Sequence, residues 1–426
     1  MQTGKAQKER APNATQSRED ILETRQQLPI YQARKEILFE MRRHDTLVLV
    51  GETGSGKTTQ MPQFLLEAGT AKKGMIGITQ PRRVAATSVA ARVAVEMGVM
   101  LGKEVGYAVR FDDTTSPNTK IKFMTDGMLV REMMLDPQLR RYSVLLLDEA
   151  HERSLNTEVL FALVKRMQML RKDSPRPLKL VVMSATLEAQ AYAAFFHNSK
   201  VLHVEGRRYP VDVLYTAEPH ADSLDAAVTT VLQIHLEEAP GDVLLFLCGQ
   251  AGIETVAAVL RERSRTLPPS ADKLLPCPLY ASLPPSEQAL AFAPAPAGTR
   301  KVVLATNIAE SSITIDGIRY IIDNGLVKAK FYHPAIDMEC LQEMPVSRAQ
   351  AQQRTGRAGR VSAGKCFRLY TEDSYEELQG SSVPEIKRCR LSGMVLQLKM
   401  MGIGNLVHFE FMEPPPRKLL IKRSEE

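Results

Sequence analysis

No two of the five cysteines in this 426-residue sequence, at positions 248, 277, 340, 366 and 389, lie close enough for a C-x-x-C pair. Their odd number and scatter leave no zinc site or redox couple to read, and point to a reducing compartment. No apolar run approaches the ~20 residues of a membrane span, and the polar opening over residues 1–20 lacks the apolar core of a signal peptide. The expected location is the nucleus, nucleolus or cytoplasm, with neither secretion nor membrane insertion. Nor is the chain short of core. Domains run to ~100–200 residues, so two or three are expected, each able to bury its own interior. A charged fraction of 24% and an apolar fraction of 44% are ordinary. The net charge of +6 mildly favours a polyanionic partner and equally suits many enzymes that have none.

What is present is organised around residues 51–58, Gly-Glu-Thr-Gly-Ser-Gly-Lys-Thr. The run before it, 45–50, is short, apolar and β-branched like a buried parallel strand, and 59–68 continues as a helix. Strand, glycine loop and helix in that order form a phosphate cradle, because loop N–H groups and the positive helix end converge on one anion. Gly51, Glu52, Thr53, Gly54, Ser55, Gly56, Lys57, Thr58 and Thr59 form its expected lining. Lys57 would reach the β- and γ-phosphates of a nucleotide, and the Thr58 hydroxyl would ligate Mg²⁺.

Further strands follow at 74–80, 121–127, 143–149 and 179–183. The first is stopped by Pro81 and leads to Arg82 and Arg83, which either hold a phosphate backbone at the sheet's ligand-binding edge or form a solvated surface pair. Residues 84–97 read as a helix carrying Arg92, and the strand at 121–127 reads as running into a turn. The strand at 143–149 delivers two acids to that edge. Asp148 and Glu149 are expected to hold Mg²⁺ with Thr58, and Glu149 also to polarise the attacking water. Paired acids can also merely solvate a strand end; the phosphate loop upstream favours catalysis. His151 follows on the same turn, and Ser184 and Thr186 are small hydroxyl residues suited to a hydrogen-bonded relay.

After Pro210 a second strand-helix series begins, with strands at 242–247, 301–305 and 318–322, a helix at 252–263 and no second phosphate loop. Near its end Arg354, Arg357 and Arg360 recur at spacing three with glycines between. Planar, permanently charged forks at a helix entry suit the spreading charge of a transferring phosphoryl group, or else a nucleic-acid patch. Residues 391–401 read as a helix, 407–412 as a strand, and the last ten residues as unpacked.

With these motifs in place, the chain resembles the DEAH-box RNA helicases of superfamily 2 across about residues 25–415. GETGSGKT (51–58), TQPRR (79–83), TDG (125–127), DEAH (148–151), SAT (184–186), TNIAESSITIDG (306–317) and QRTGRAGR (353–360) stand in that family's order. The resemblance implies an α/β fold of two tandem RecA-like P-loop domains, parallel sheets with helices on both faces, clamping one nucleotide between them. Residues 1 to about 20, polar and without apolar period, read as a disordered lead-in; the resemblance implies a partly disordered N-terminal extension over 1–40, RecA-like domains over 41–206 and 207–380, and the incomplete start of a winged helix over 381–426. Gln353, Arg357 and Arg360 would meet the γ-phosphate from the second domain, the arginines as fingers in cis. Thr314 and Asp316 would approach the ribose and the metal-bound water network. Arg92 and Phe292 would stack on the two faces of the base, so that other nucleoside triphosphates are accepted beside ATP. Arg82, Arg83, Thr125, Thr306 and Asn307 would hold the RNA backbone, and His151, Ser184 and Thr186 would couple hydrolysis to movement.

The implied activity is RNA-stimulated NTP hydrolysis coupled to 3′-to-5′ translocation and remodelling of duplexes or ribonucleoproteins by a monomer. Its implied partners are single-stranded and duplex RNA and glycine-rich activator proteins. Two motifs depart from the family pattern. Cys248 stands where Thr or Ser is usual and Ala251 and Gly252 stand near where acids are usual, and Asn324 replaces a usual proline before Gly325. The family continues through the rest of the winged helix, a helical bundle and an OB-fold. The alternative expectation is therefore a short form that grips RNA or competes for helicase partners without productive unwinding.

Overall fold

The computed structural model describes residues 18–420 apart from residues 73, 186–187, 207–208, 269–270, 311–313, 361 and 418–419. The expected disordered lead-in lies outside the described residues up to position 17. Within it, however, a helix has already begun at Arg18. Among the described residues, the helices α1 (Arg18–Gln27), α2 (Pro29–Gln32) and α3 (Arg34–Arg43) precede the first sheet, and Pro29 opens α2, where its missing N–H costs nothing.

The first sheet is built from β1 (Thr46–Gly51), β2 (Met75–Gln80), β3 (Val105–Val109), β4 (Asp112–Thr114), β5 (Ile121–Thr125), β6 (Tyr142–Leu147), β7 (Lys179–Ser184) and β8 (Lys200–Val204). Between them run α4 (Lys57–Glu67), α5 (Arg83–Met97), α6 (Asp126–Leu135), α7 (Leu155–Arg171) and α8 (Ala189–Phe195). The strand order is β4-β3-β5-β2-β6-β7-β1-β8. Every neighbouring pair is parallel except β3 with β4. Because both faces carry helices, the central strands read as unbroken apolar runs. Their side chains still alternate. Leu47 and Leu49 pack with Phe64 and Val93 on one face, whereas Val48 and Val50 pack with Phe161 and Tyr192 on the other.

The second sheet comprises β9 (Val211–Tyr215), β10 (Asp242–Phe246), β11 (Lys273–Leu279), β12 (Thr299–Ala305), β13 (Ile318–Asp323) and β16 (Gly364–Arg368). Its order is β11-β12-β10-β13-β16-β9, parallel throughout. Its helices are α9 (Ser223–Glu237), α10 (Gln250–Ser264), α11 (Pro285–Phe292), α12 (Arg348–Thr355) and α13 (Glu372–Glu376). Between β13 and β16 the chain leaves the sheet in an antiparallel hairpin, β14 (Leu326–His333) with β15 (Met338–Pro345). This is the two-domain α/β architecture expected from the strand and helix pattern.

Two local expectations are corrected. The strand expected over 121–127 ends at Thr125 and runs into no turn, because Asp126-Gly127 opens α6, where a glycine at a helix start interrupts no established ladder. Residues 407–412 form no strand. Among the described residues no strand follows β16 that could pair with them, and the Phe409 and Phe411 rings instead pack edge to face at 4.8 Å. The C-terminal segment returns to the first domain through α14 (Glu385–Arg388) and α15 (Ser392–Met400). Ile386, Met394, Leu398 and Phe411 join the core that holds Phe161 and Tyr192. Leu420, within the stretch read as unpacked, is buried there as well. Among the described residues no helix is long and apolar enough to cross a membrane.

Candidate active site

The chemistry gathers where the C-terminal ends of β2, β6, β7 and β1, neighbours in the first sheet, face the loops that enter β13 and β16 of the second. The loop after β1 turns through Gly54 at φ 88° and Gly56 at φ 90°, left-handed positions that side chains other than glycine adopt only under strain. It is pressed from behind. The Ile30 N–H donates to Ser55 O at 3.1 Å, and a Cβ on Gly56 would meet Leu28 Cδ1 at 3.0 Å. Gly56 caps α4 with no side chain, so the first helical N–H groups face the cleft as an anion site. Lys57 folds its ammonium onto the Gly51 and Glu52 carbonyls, the latter at 2.8 Å. Burial lowers the Lys57 pKa, opposed by the charges of Glu149, Asp148 and Glu52.

Asp148 is held from three sides. The Thr58 hydroxyl and Gln80 Nε2 each donate to its Oδ2 at 2.6 Å, and the Glu149 N–H donates to Oδ1 at 2.9 Å. Burial, and then the charge of Glu149, push the Asp148 carboxyl up to about 7. Glu149 itself stands in the left-handed region at φ 51°, a costly conformation that turns its carboxylate out of the strand direction. His151, on the short 3₁₀ turn Ala150–Glu152, accepts the Ala185 N–H on Nδ1 at 3.3 Å. That bond assigns the proton to Nε2, which lies 3.3 Å from Glu149 Oε2. The acid turn is thereby tied to the end of β7 beside buried Ser184. Thr186 lies outside the described residues.

From the second domain, the Arg360 guanidinium donates to Thr314 Oγ1 at 2.8 Å and reaches the phosphate loop, its Nε 3.8 Å from where a Cβ on Gly54 would sit. Burial lowers its pKa to about 10. Arg357 is buried and donates to the Glu310 carbonyl, and burial, followed by the like charge of Arg360, depresses its pKa strongly. Gln353 and Asp316 line the same cleft. Arg354 departs from the expectation for the three arginines. Its guanidinium is not aimed at an anion, because it is consumed internally by Glu310 and Asp323, each at 2.6 Å, over the Phe246 ring at 4.8 Å. On the short α12, one position of shift turns a side chain from the cleft into the core.

Arg92, paired with Glu96 at 2.7 Å, and Phe292, at the end of α11, line the cleft from the two domains. Arg82 pairs with Glu152 at 3.2 Å, while Arg83 is exposed, and both line the cleft with Thr125 and Asn307. Thr306 instead caps the turn Asn307–Ala309, accepting the Ile308 N–H at 3.5 Å. Thr59 turns its hydroxyl to the Gly56 carbonyl at 3.3 Å.

Three residues that matter here were not singled out from the sequence. Gln80, fully buried, holds Asp148; Glu310 anchors Arg354 and, through its carbonyl, Arg357; Glu96 holds Arg92. A polar residue ending an otherwise apolar buried strand was the available signal for Gln80. Glu96 sits four residues after Arg92, a spacing at which helix side chains meet.

The family described as DEAD/DEAH box helicase matches residues 31–195, and the helicase conserved C-terminal domain matches residues 226–362. The interval between them contains the crossing from β8 to β9. The chain is similar to an Arabidopsis thaliana protein named pre-mRNA-splicing factor ATP-dependent RNA helicase DEAH10, with 49% identity over 447 aligned positions. That alignment covers 96% of this chain and 62% of the relative, so the chain spans about three fifths of the relative's length.

Proposed function

Since the chain belongs to the DEAH-box helicases of superfamily 2, we propose that it hydrolyses ATP in response to bound RNA and couples the hydrolysis to 3′-to-5′ movement and remodelling of RNA. The observation that carries this reading is Arg360 of the second domain lying over Gly54 of the first, which makes the nucleotide site a property of both domains together.

The loop N–H groups and Lys57 bind the β- and γ-phosphates, and Lys57 then exchanges the carbonyls it now holds for phosphate oxygens. Mg²⁺ fits the residues present. The Thr58 hydroxyl and Asp148 are hard oxygen donors that already meet, and a buried carboxylate whose charge burial disfavours gains from a cation. When bound, the ion supplies charge neutralisation at the phosphate oxygens. Gln80 orients Asp148, and Glu149, beside the metal site, takes the proton of the attacking water. Gln353, Arg357 and Arg360 meet the γ-phosphate, the arginines stabilising charge on the transferring phosphoryl group, and Thr314 and Asp316 serve the ribose and the water network.

Arg92 and Phe292 stack on the base faces without reading an edge, so GTP, CTP and UTP serve beside ATP. Arg82, Arg83, Thr125, Thr306 and Asn307 hold the RNA backbone, and contacts of that kind carry no sequence information. The His151 to Ala185 link, with Ser184 and Thr186, passes the state of the nucleotide to the RNA-gripping loops. From the name of the relative, we place the work in the nucleus, on spliceosomal RNA and its protein partners, carried out by a monomer. ATP turnover measured with and without single-stranded RNA tests the reading. RNA should accelerate it, and turnover that is absent, or indifferent to RNA, would contradict the proposal.

A further inference from the structure

Glu96 is almost fully buried, with a side chain 3% exposed, at the C-terminal end of the helix that carries Arg92. Its Oε1 accepts from Arg92 Nε at 2.7 Å. Its Oε2 accepts from Gln60 Nε2 at 2.8 Å and Gln63 Nε2 at 2.9 Å, both on α4, the helix that springs from the phosphate loop. Gln60 is itself held from α1, where Arg25 Nε donates to its Oε1 at 2.8 Å; Arg25 also lies 3.9 Å from Glu96 and 3.3 Å from Glu67. Thr24, Arg25, Gln27 and Leu28 stand in the wall of the cleft beside the phosphate loop. Among the described residues, the groups facing the Glu96 carboxylate are thus donors, and Arg92 is the half-exposed one that reaches out into the cleft.

We propose that Arg25, Gln60 and Glu96 form a positioning relay that fixes the Arg92 guanidinium plane relative to the phosphate cradle, so that α1 sets how tightly the base of a nucleotide is held. The proposal rests on the reading of Arg92 as a base-stacking residue. Arg92 is nearly half exposed, with a side chain 46% accessible, and a long side chain in that setting samples many rotamers unless one partner holds it. Glu96 supplies that partner. Because α4 also carries Lys57 and Thr58, the base-stacking group and the phosphate-binding groups are referenced to one rigid element, which is what pre-organisation of a site requires. Arg25 offsets the charge that Glu96 would otherwise bury, so the relay is completed from outside the sheet.

The test compares a ligand with a base and one without. Dissociation constants for ATP and for inorganic tripolyphosphate, both with Mg²⁺, are measured for the whole chain and for Arg92→Ala, Glu96→Gln, Arg25→Gln and the Arg92→Ala/Glu96→Gln double variant. Glu96→Gln should weaken ATP binding about three- to tenfold while the tripolyphosphate constant moves less than about twofold, the size of coupling usual for contacting residues. Arg25→Gln should shift the ratio the same way, and the double variant should match Arg92→Ala alone. A general loosening of the fold would weaken both ligands together and would overturn the proposal. If Arg92→Ala raises the ratio and Glu96→Gln does not, the relay is wrong and the stacking reading stands. If Arg92→Ala itself leaves the ratio unchanged, the stacking reading fails and the relay falls with it. Should Glu96→Gln not fold, Arg25→Gln decides by the same ratio.

Discussion

The guanidinium of Arg360 lies across the glycine turn at Gly54, its Nε 3.8 Å from the point a Cβ there would occupy. One residue precedes a strand of the second sheet and the other follows a strand of the first, so the contact spans the two domains. Glycine at φ 88° leaves the loop backbone bare, and the arginine comes close because nothing stands in between. Burial disfavours the Arg360 charge. An anion bound on the loop would restore what burial takes away.

Lys57→Ala and Glu149→Gln should each lower the rate of ATP hydrolysis by at least about 10²-fold, the scale for losing a charged or proton-accepting group at a reacting centre. RNA affinity, measured by fluorescence anisotropy at fixed salt, should change little, because the backbone grip is assigned to other residues. Equal loss of both in a folded variant would contradict the division of labour.

Arg354 and Arg360 should part company in stability. Removing one partner from a buried ion pair costs about 3–5 kcal/mol, so Arg354→Ala, which strands Glu310 and Asp323 in the core, should shift denaturant unfolding by that order. Arg360→Ala, at the cleft, should stay within about 1 kcal/mol of the unaltered protein. A stable but inactive Arg354→Ala would return that residue to the anion-binding role its spacing suggests.

Asp126 gives the stability a pH dependence of known sign. Burial raises its carboxyl to about 6, against the lowering effect of the Thr157 hydroxyl, which donates to Oδ2 at 2.5 Å. A carboxyl raised on folding stabilises the protonated protein, so its contribution is complete below the unfolded value near 3.8 and is lost as pH rises through about 6. Asp126→Asn keeps an oxygen for Thr157 and carries no charge. Its unfolding free energy relative to the unaltered protein should therefore improve by about 1–3 kcal/mol between pH 4 and pH 7.5. A difference that stays flat across that range would show that Asp126 is not desolvated.

Much of this arrangement was legible because buried parallel strands announce themselves. Residues 46–51 and 142–147 are largely apolar runs followed at once by the acids Glu52 and Asp148, and each proved to be a strand delivering its successor to an edge or turn. The hairpin β14–β15 was not legible, since most of its side chains are exposed and no apolar alternation marks it. Arg354 was misread for a physical reason: composition and spacing are alike for all three arginines, and only the fold reveals that Glu310 and Asp323 claim one of them. Local pattern marks Gln80 as a polar strand end and Glu96 as a helix neighbour of Arg92, but it does not carry their distant partners, Asp148 for the first and Gln60 and Gln63 for the second. Residues 407–412 have the composition of a strand, but a strand needs a neighbour, and pairing is a tertiary fact.

The central claim, that the second domain completes a nucleotide site begun by the first, is tested most directly by single-turnover ATP hydrolysis at saturating single-stranded RNA with Arg357→Ala. A guanidinium that acts on the transferring phosphoryl group is worth about 10³–10⁵ in rate, so that loss is predicted while ATP affinity falls by less than about tenfold. Arg357→Lys should rescue poorly, since it keeps the charge and loses the planar fork. A rate within about threefold of the unaltered protein, accompanied by weaker RNA binding with a shallower salt dependence, would make Arg357 an RNA-backbone contact and contradict the account.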